Sequence, residues 1–222
     1  MAYVLGYLYA DGSLSDCDYI RAKYISVTSI DRDRIELFKK LLKSEHNIKT
    51  ESPLTQSSHT RYTLRIGSHK LYSKLGELGL YPNKSLNVKF PKMPNPLLRH
   101  FIRGYFDGDG CVFLEKSIGI NGQPILKRLI IAFTSGSGDF LKGLGQAINK
   151  IIFKKDFKIY GSHRSYQLRY NTSDTMKLYE FMYNNVHSDL FMRRKYNKFK
   201  EYLYLRPERI TSIIKVILKK HK

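Results

Sequence analysis

The sequence predicts an α+β protein built as two related halves, each running helix, two strands, helix, two strands, helix. Three observations predict it. Two apolar stretches of matching pattern, Val4–Gly12 and Ile102–Gly110, both end in Asp-Gly, and their last aspartates, Asp11 and Asp109, stand 98 residues apart. A repeat of that length is a duplicated half-domain, because solenoid repeats run about 20–50 residues. Tyr62-Thr63-Leu64-Arg65 returns 104 residues later as Tyr166-Gln167-Leu168-Arg169. Three prolines fall within residues 87–96, where fixed φ and missing N–H donors stop regular structure. The expected organisation is therefore a half-domain over 1–86, a linker over 87–96, and a second half-domain over 97–222 with extra C-terminal helices.

The first apolar stretch reads as a short buried helix. Its apolar residues run for about two turns and stop at Gly12, where glycine supplies a left-handed C-cap. A buried strand would give the same apolar run, and the small residues favour the helix. Ala2, Gly6 and Ala10 are spaced by four, as are Gly104 and Gly108. At helical spacing they form a stripe without side chains, along which two backbones can approach closely. The two motif helices are expected to pack along these stripes and to bring Asp11 and Asp109 together at their C-terminal ends.

Ser13 to Tyr19 reads as a polar turn. Tyr24–Ser29 alternates as a strand, with Ile25 and Val27 inward and Tyr24, Ser26 and Thr28 outward. Asp31–His46 carries Ile35, Phe38, Leu41 and Leu42 at helical spacing, with acidic residues at its start and Lys39, Lys40 and Lys43 near its end. Residues 48–56 and 61–67 form a hairpin, and a helix over 69–78 ends near Gly79. Pro96 suits the first turn of the second motif helix, over 97–109. The second half repeats the order: a strand over Leu129–Ser135, a helix over 138–152, a hairpin of Phe157–Tyr160 and Ser165–Tyr170, and a helix over 173–184. Closing helices follow over 193–204 and 207–219.

The charge selects the class of partner. There are 39 Lys and Arg against 19 Asp and Glu, a formal net charge of +20. Such an excess repels itself and favours a polyanion, with nucleic acid the first candidate. No apolar run approaches the roughly 20 residues of a membrane span, and the cations are spread along the chain rather than gathered in a juxtamembrane block. The two cysteines, Cys17 and Cys111, cannot build a Cys-rich zinc site or a disulfide framework. They point to a reducing, intracellular location, either cytoplasm or an organelle matrix, and no signal or transit segment is visible.

Two carboxylates at helix C-termini are unfavourable, since the macrodipole already places about half a negative charge there. A hard divalent cation, Mg²⁺ or Ca²⁺, relieves the repulsion. On the outward faces of the strands, Arg61, Thr63, Arg65, Arg128, Gln167 and Arg169 have the chemistry to read base edges in a major groove. Lys23, Lys49, Lys127, Lys154, Lys155 and Lys158 suit phosphates, which fix register without reading sequence. Taken singly, each is equally a solvated surface side chain; together they form a nucleic-acid pattern. His46-Asn47 and His187-Ser188-Asp189 lack catalytic partners at the required spacing. Ser135-Gly136-Ser137-Gly138 lacks the lysine of a phosphate loop.

Both Asp-Gly stretches resemble the LAGLIDADG motif of homing endonucleases, and Phe106-Asp107-Gly108-Asp109-Gly110 is a close match. The first copy has Tyr9 where the motif carries its earlier aspartate, a position that is not the family's metal ligand. The resemblance spans nearly the whole chain through its two repeats. It implies two pseudo-symmetric αββαββα half-domains packed through the motif helices, with antiparallel sheets forming a DNA-binding saddle. It implies a monomer that makes a site-specific double-strand break in a long DNA target by phosphodiester hydrolysis. The implied cofactor is Mg²⁺, on the order of two or three ions, with Mn²⁺ as a substitute and Ca²⁺ supporting binding without cleavage. The implied metal ligands are Asp11, Asp109 and the carbonyls of Ala10 and Gly108. Lys84 and Lys195 match the family's basic residue near the scissile phosphate, with Arg194 a neighbour. Ser29 and Ser135 match its polar, water-ordering position. The alternative implied by the same fold is an intron-splicing maturase, whose partner is its own intron RNA, or a non-cleaving DNA-binding protein. A ribosome-associated or membrane-surface protein would need neither metal nor a duplicated motif. The splicing segments and terminal nucleophile of an intein are not seen, so an intein context is not expected.

Overall fold

The computed structural model describes residues 1–222 except 54, 56, 58, 154, 155, 188, 189 and 222, and except the side chains of residues 124 and 162. It has two compact units, Met1–Gly108 and Asp109–Lys222.

The first unit contains α1 (Ala2–Asp11), β1 (Gly12–Cys17), β2 (Ala22–Ser29), α2 (Arg32–Leu41), β3 (Ile48–Glu51), β4 (Arg61–Gly67) and α3 (His69–Glu77). It closes with α4 (Asn95–Asp109), whose last residue begins the second unit. The strands form an antiparallel sheet in the order β1-β2-β4-β3. Leu14, Ile25 and Ile66 share one row of its inner face, and Val27 and Leu64 the next. All five are buried, with Ile35 and Phe38 of α2 and Leu75 of α3.

The small-residue stripe does what its spacing predicts. A Cβ on Gly6 would lie 2.0 Å from the carbonyl oxygen of Phe101, and a Cβ on Gly104 would lie 2.0 Å from that of Tyr3. No side chain fits at either place, so α1 and α4 meet backbone to backbone. Around that seam Tyr7 packs on Phe38 at 4.7 Å and Tyr9 on Phe101 at 5.2 Å. The Tyr3 hydroxyl donates to the buried Asp107 carboxylate at 2.7 Å.

Three local expectations need correction. Residues 13–19 are not a polar turn, because Gly12–Cys17 is a strand paired with β2 from Gly12↔Val27 to Cys17↔Ala22. Its alternation is Ser-Leu-Ser, with one apolar side chain to bury, so its period is hard to see. Gly12 is not a left-handed cap: at φ −81°, ψ 148° it is already extended. It is glycine for lack of space, since a Cβ would stand 2.6 Å from the Leu8 carbonyl oxygen. Helix α2 stops at Leu41 rather than His46, because Lys43 takes a left-handed φ of 49° and the Ser44 N–H closes on the Lys39 carbonyl. Gly79 does supply a left-handed end to α3, at φ +91°.

The second unit contains β5 (Gly110–Ile118), β6 (Pro124–Ser135), α5 (Gly138–Ile148), β7 (Ile159–Ser162), β8 (Ser165–Tyr170), α6 (Thr172–Tyr183), α7 (Arg193–Leu205) and α8 (Ser212–Lys220), with a π-turn over Asn149–Phe153. Its sheet order, β5-β6-β8-β7, repeats that of the first unit. Strand β6 is longer than its apolar run suggests, because it continues past a bulge. Pairing passes from Glu115↔Arg128 to Lys116↔Leu126, leaving Lys127 as the extra residue. Between α6 and α7 an aromatic cluster fills the core, with Tyr179 4.9 Å from Phe199 and Tyr183 5.1 Å from Tyr196.

Candidate functional site

In the first unit, the residues that the sequence singled out for metal chemistry converge on the end of α1. Asp11 is the last residue of that helix and its side chain is exposed. Gly108 lies directly against it: a Cβ there would be 2.4 Å from Ala10 Cβ and 3.1 Å from Asp11 Oδ2. Lys84 enters from a 3-10 turn over Lys84–Leu86. It is 5% exposed and donates from Nζ to the Ala10 carbonyl oxygen at 3.3 Å. A cation at a helix C-terminus offsets the dipole, and it does so beside the carboxylate that the same dipole disfavours.

Ser29 ends β2 facing the same helix. Its Oγ accepts from the Asp31 N–H at 3.1 Å, the turn-forming role common for serine at a strand end. The Tyr7 phenol lies near enough to Ser29 and Asp11 to feel both. Burial pushes the Tyr7 phenol well above its ordinary range, the charge of Asp11 adds to the rise, and the Ser29 hydrogen bond opposes it. Sequence reasoning did not find Tyr7. The signal was present, because Tyr7 precedes Asp11 by four residues, one helical turn, and Tyr105 precedes Asp109 by the same interval.

In the second unit, Lys195 on α7 is 7% exposed and donates from Nζ to the Gly110 carbonyl at 2.5 Å. Lys84 thus bonds the carbonyl before Asp11, and Lys195 bonds the carbonyl after Asp109. Ser135 repeats the turn role, accepting from the Ser137 N–H at 3.1 Å. Arg194 is exposed.

The oxygen donors at the α1 terminus, a carboxylate beside a backbone carbonyl, suit a hard cation. The Ala10 carbonyl has a second lone pair beyond the one Lys84 uses. Among the described residues there is no group of three or more His, Cys, Asp or Glu side chains that could hold a metal. Carboxylates there would have to be supplemented by carbonyl oxygens.

The outward face of each sheet carries the expected cations. In the first unit Arg65 stands opposite Ser26, and Thr63 opposite both Thr28 and Lys49. The Thr28 and Thr63 hydroxyls are 2.9 Å apart. Arg65 stacks over Tyr24 at 3.9 Å, which fixes its guanidinium plane. Glu51 pairs with Lys49 at 3.0 Å and Arg61 at 3.4 Å. Lys23 lies elsewhere: it follows the parity of Ile25 and Val27, pairs with Asp16 and Asp18, and sits over Tyr72 of α3. In the second unit Gln167 stands opposite Thr134 and Tyr160, and Arg169 opposite Ala132. The Gln167 Oε1 accepts from Arg169 Nε at 2.8 Å. Arg128 pairs with Glu115 at 3.7 Å. Lys158 lies over Tyr160 at 5.3 Å, and Lys127 projects from the bulge. Lys154 and Lys155 lie outside the described residues, as do Ser188 and Asp189. No helix among the described residues is long and apolar enough to cross a membrane.

Residues 96–182 match the family model of the LAGLIDADG-like domain. Among solved structures, the chain is similar to the LAGLIDADG homing endonuclease I-LtrWI bound to target DNA, at 14% identity, a TM-score of 0.59, and 99% of this chain and 95% of that one covered. It is similar to I-SmaMI bound to uncleaved DNA target in the presence of calcium ions, at 14% identity, a TM-score of 0.59, and 99% and 97% covered. It is also similar to mesophilic variants of the homing endonuclease I-DmoI, at 19% identity, a TM-score of 0.54, and 82% and 93% covered. Among curated proteins, 139 residues are 32% identical to a probable translation initiation factor IF-2 of Methanocaldococcus jannaschii, covering 60% of this chain. The chain spans 11% of that relative's length.

Proposed function

We propose, from the premise that this chain carries a LAGLIDADG-like domain within the two-motif fold of the LAGLIDADG homing endonucleases, that it is a site-specific endonuclease making a divalent-metal-dependent double-strand break in DNA. The observation that carries the reading is the α1 terminus: Asp11, the Ala10 carbonyl, the buried Lys84 ammonium and Gly108 gathered at one point of a strongly basic protein.

In this reading the Asp11 and Asp109 carboxylates, with the carbonyls of Ala10 and Gly108, hold the cations. A divalent cation held there would supply Lewis acidity and would lower the pKa of a coordinated water, so that hydroxide is available as the nucleophile near neutral pH. Tyr7 and Ser29 hold the Asp11 carboxylate in one orientation. Lys84 and Lys195 place positive charge where the phosphate becomes more negative in the transition state. The open sheet faces bind duplex DNA, with Arg65, Gln167 and Arg169 toward base edges and Lys49, Lys127 and Lys158 toward phosphates. The protein acts as a monomer, since one chain supplies both motif copies.

The test is incubation with a duplex library in Mg²⁺ and in Ca²⁺. The expected result is recovery of one cut sequence in Mg²⁺ and retention of the same sequence, uncut, in Ca²⁺. Binding of an intron RNA with no cut duplex in Mg²⁺ would replace this reading with that of a splicing maturase.

A further inference from the structure

The two sheets share a strand order but present different chemistry on their open faces. In the first unit that face is rich in hydroxyls, with Ser13 opposite Ser26 and Thr28 opposite Thr63. In the second, Phe113 stands opposite Ile130, and Cys111 opposite Ala132. Beyond the bulge, Ile125 opposite Ser117 continues the same side. Phe113 is 37% exposed and Ile125 49% exposed. Arg128 and Arg169 lie among these apolar side chains, on the same face. Exposed apolar area is unfavourable in water. A strip of it between arginines suits a partner that offers small apolar groups within a field of negative charge.

In the major groove of a duplex, the only apolar group on a base edge is the 5-methyl of thymine, shared chemically with 5-methylcytosine. We infer that the open face of β5 and β6 reads pyrimidine 5-methyl groups, with Phe113, Ile130 and Ile125 as specificity-determining residues. The half of the target read by the second unit is then richer in methyl contacts than the half read by the first, where serine and threonine hydroxyls accept either kind of base pair. This rests on the DNA-endonuclease reading. A lipid surface fits less well, because Glu115 and Arg128 pair across the strip.

The test begins with the duplex recovered by the wild-type protein from a random library. Arg65→Ala and Arg169→Ala assign each half of the site to a unit by the half whose base preference relaxes. Thymines are then replaced one at a time by deoxyuridine, which removes only the methyl. The expected result is about a fourfold loss of affinity at each contacted position in the second unit's half, the worth of one buried methyl, and little change in the other half. Phe113→Ser and Ile125→Ser, tested separately, should each flatten the deoxyuridine effect at their own positions. Cytosine and 5-methylcytosine at those positions identify the source: equal recovery by 5-methylcytosine means the methyl itself is read, and recovery by thymine alone means thymine is read. Uniform tolerance of deoxyuridine, or an effect unchanged in both variants, overturns the inference while leaving the endonuclease reading intact. Failure to enrich any duplex would instead sink the endonuclease reading.

Discussion

At the scale of single residues, the α1 terminus concentrates interactions that a substitution can separate. Tyr7→Phe removes the hydroxyl between Ser29 and Asp11 and keeps the ring against Phe38. It is expected to raise the Mg²⁺ concentration for half-maximal cleavage several-fold, with DNA affinity in Ca²⁺ unchanged; an unaltered Mg²⁺ titration would remove Tyr7 from the site. Lys84→Met is expected to lower cleavage by about 100-fold or more, the scale seen when one charge-stabilising donor is lost, again with little change in binding. How far the site was legible follows from the same residues. Asp11 and Asp109 stood out because the motif is duplicated and ends in glycine. Tyr7 was hidden inside an apolar run, where a tyrosine looks like core, and it is core on one side. Lys23 looked like a phosphate contact by type, but strand parity turns it toward Asp16 and Tyr72.

At the scale of elements, the α1–α4 seam is the most demanding contact of the first unit. Gly6→Ala or Gly104→Ala drives a methyl into a backbone carbonyl, which neither helix can yield without moving. Each should cost about 3 kcal/mol, the upper end of overpacking penalties, read as a lower denaturation midpoint at unchanged m. On α4 the fully buried Arg103 contacts His100 Nδ1 at 3.0 Å, and burial, followed by Arg103, lowers the His100 pKa. A base whose folded pKa is depressed is neutral in the native state while the unfolded chain takes up a proton. The first unit should therefore lose stability as pH falls through about 6.5, the ordinary histidine value. His100→Gln should reduce that loss; an equal pH dependence in the variant would contradict the assignment. The helices were legible because their apolar periodicity and small-residue spacing survive in any context. The strands β1 and β5 were not. Gly12–Cys17 has little apolar contrast between its faces, and pairing with β2, which no local signal announces, makes it a strand. The bulge at Lys127 shifts the register between β5 and β6 and conceals the start of β6 in the same way.

At the scale of the whole molecule, a net charge of +20 predicts that the proposed association with DNA is salt-dependent. With about 6–10 phosphate contacts, affinity should fall by about 10³–10⁵-fold between 50 and 200 mM salt. Arg65→Ala or Arg169→Ala should relax base preference, while Lys49→Ala should weaken all sequences alike and reduce the salt slope. In the proposed reading, the duplicated sheets give one chain two reading faces, and the difference between those faces predicts an asymmetric target. The central claim is that two aspartates, one from each motif copy, hold the ions that cut. It is tested most directly by measuring double-strand cleavage of the recovered target in Mg²⁺ by Asp11→Asn and Asp109→Asn, with affinity for the same duplex measured in parallel. The account predicts loss of double-strand cutting in each variant with binding largely kept. Normal double-strand cutting by both variants would contradict it.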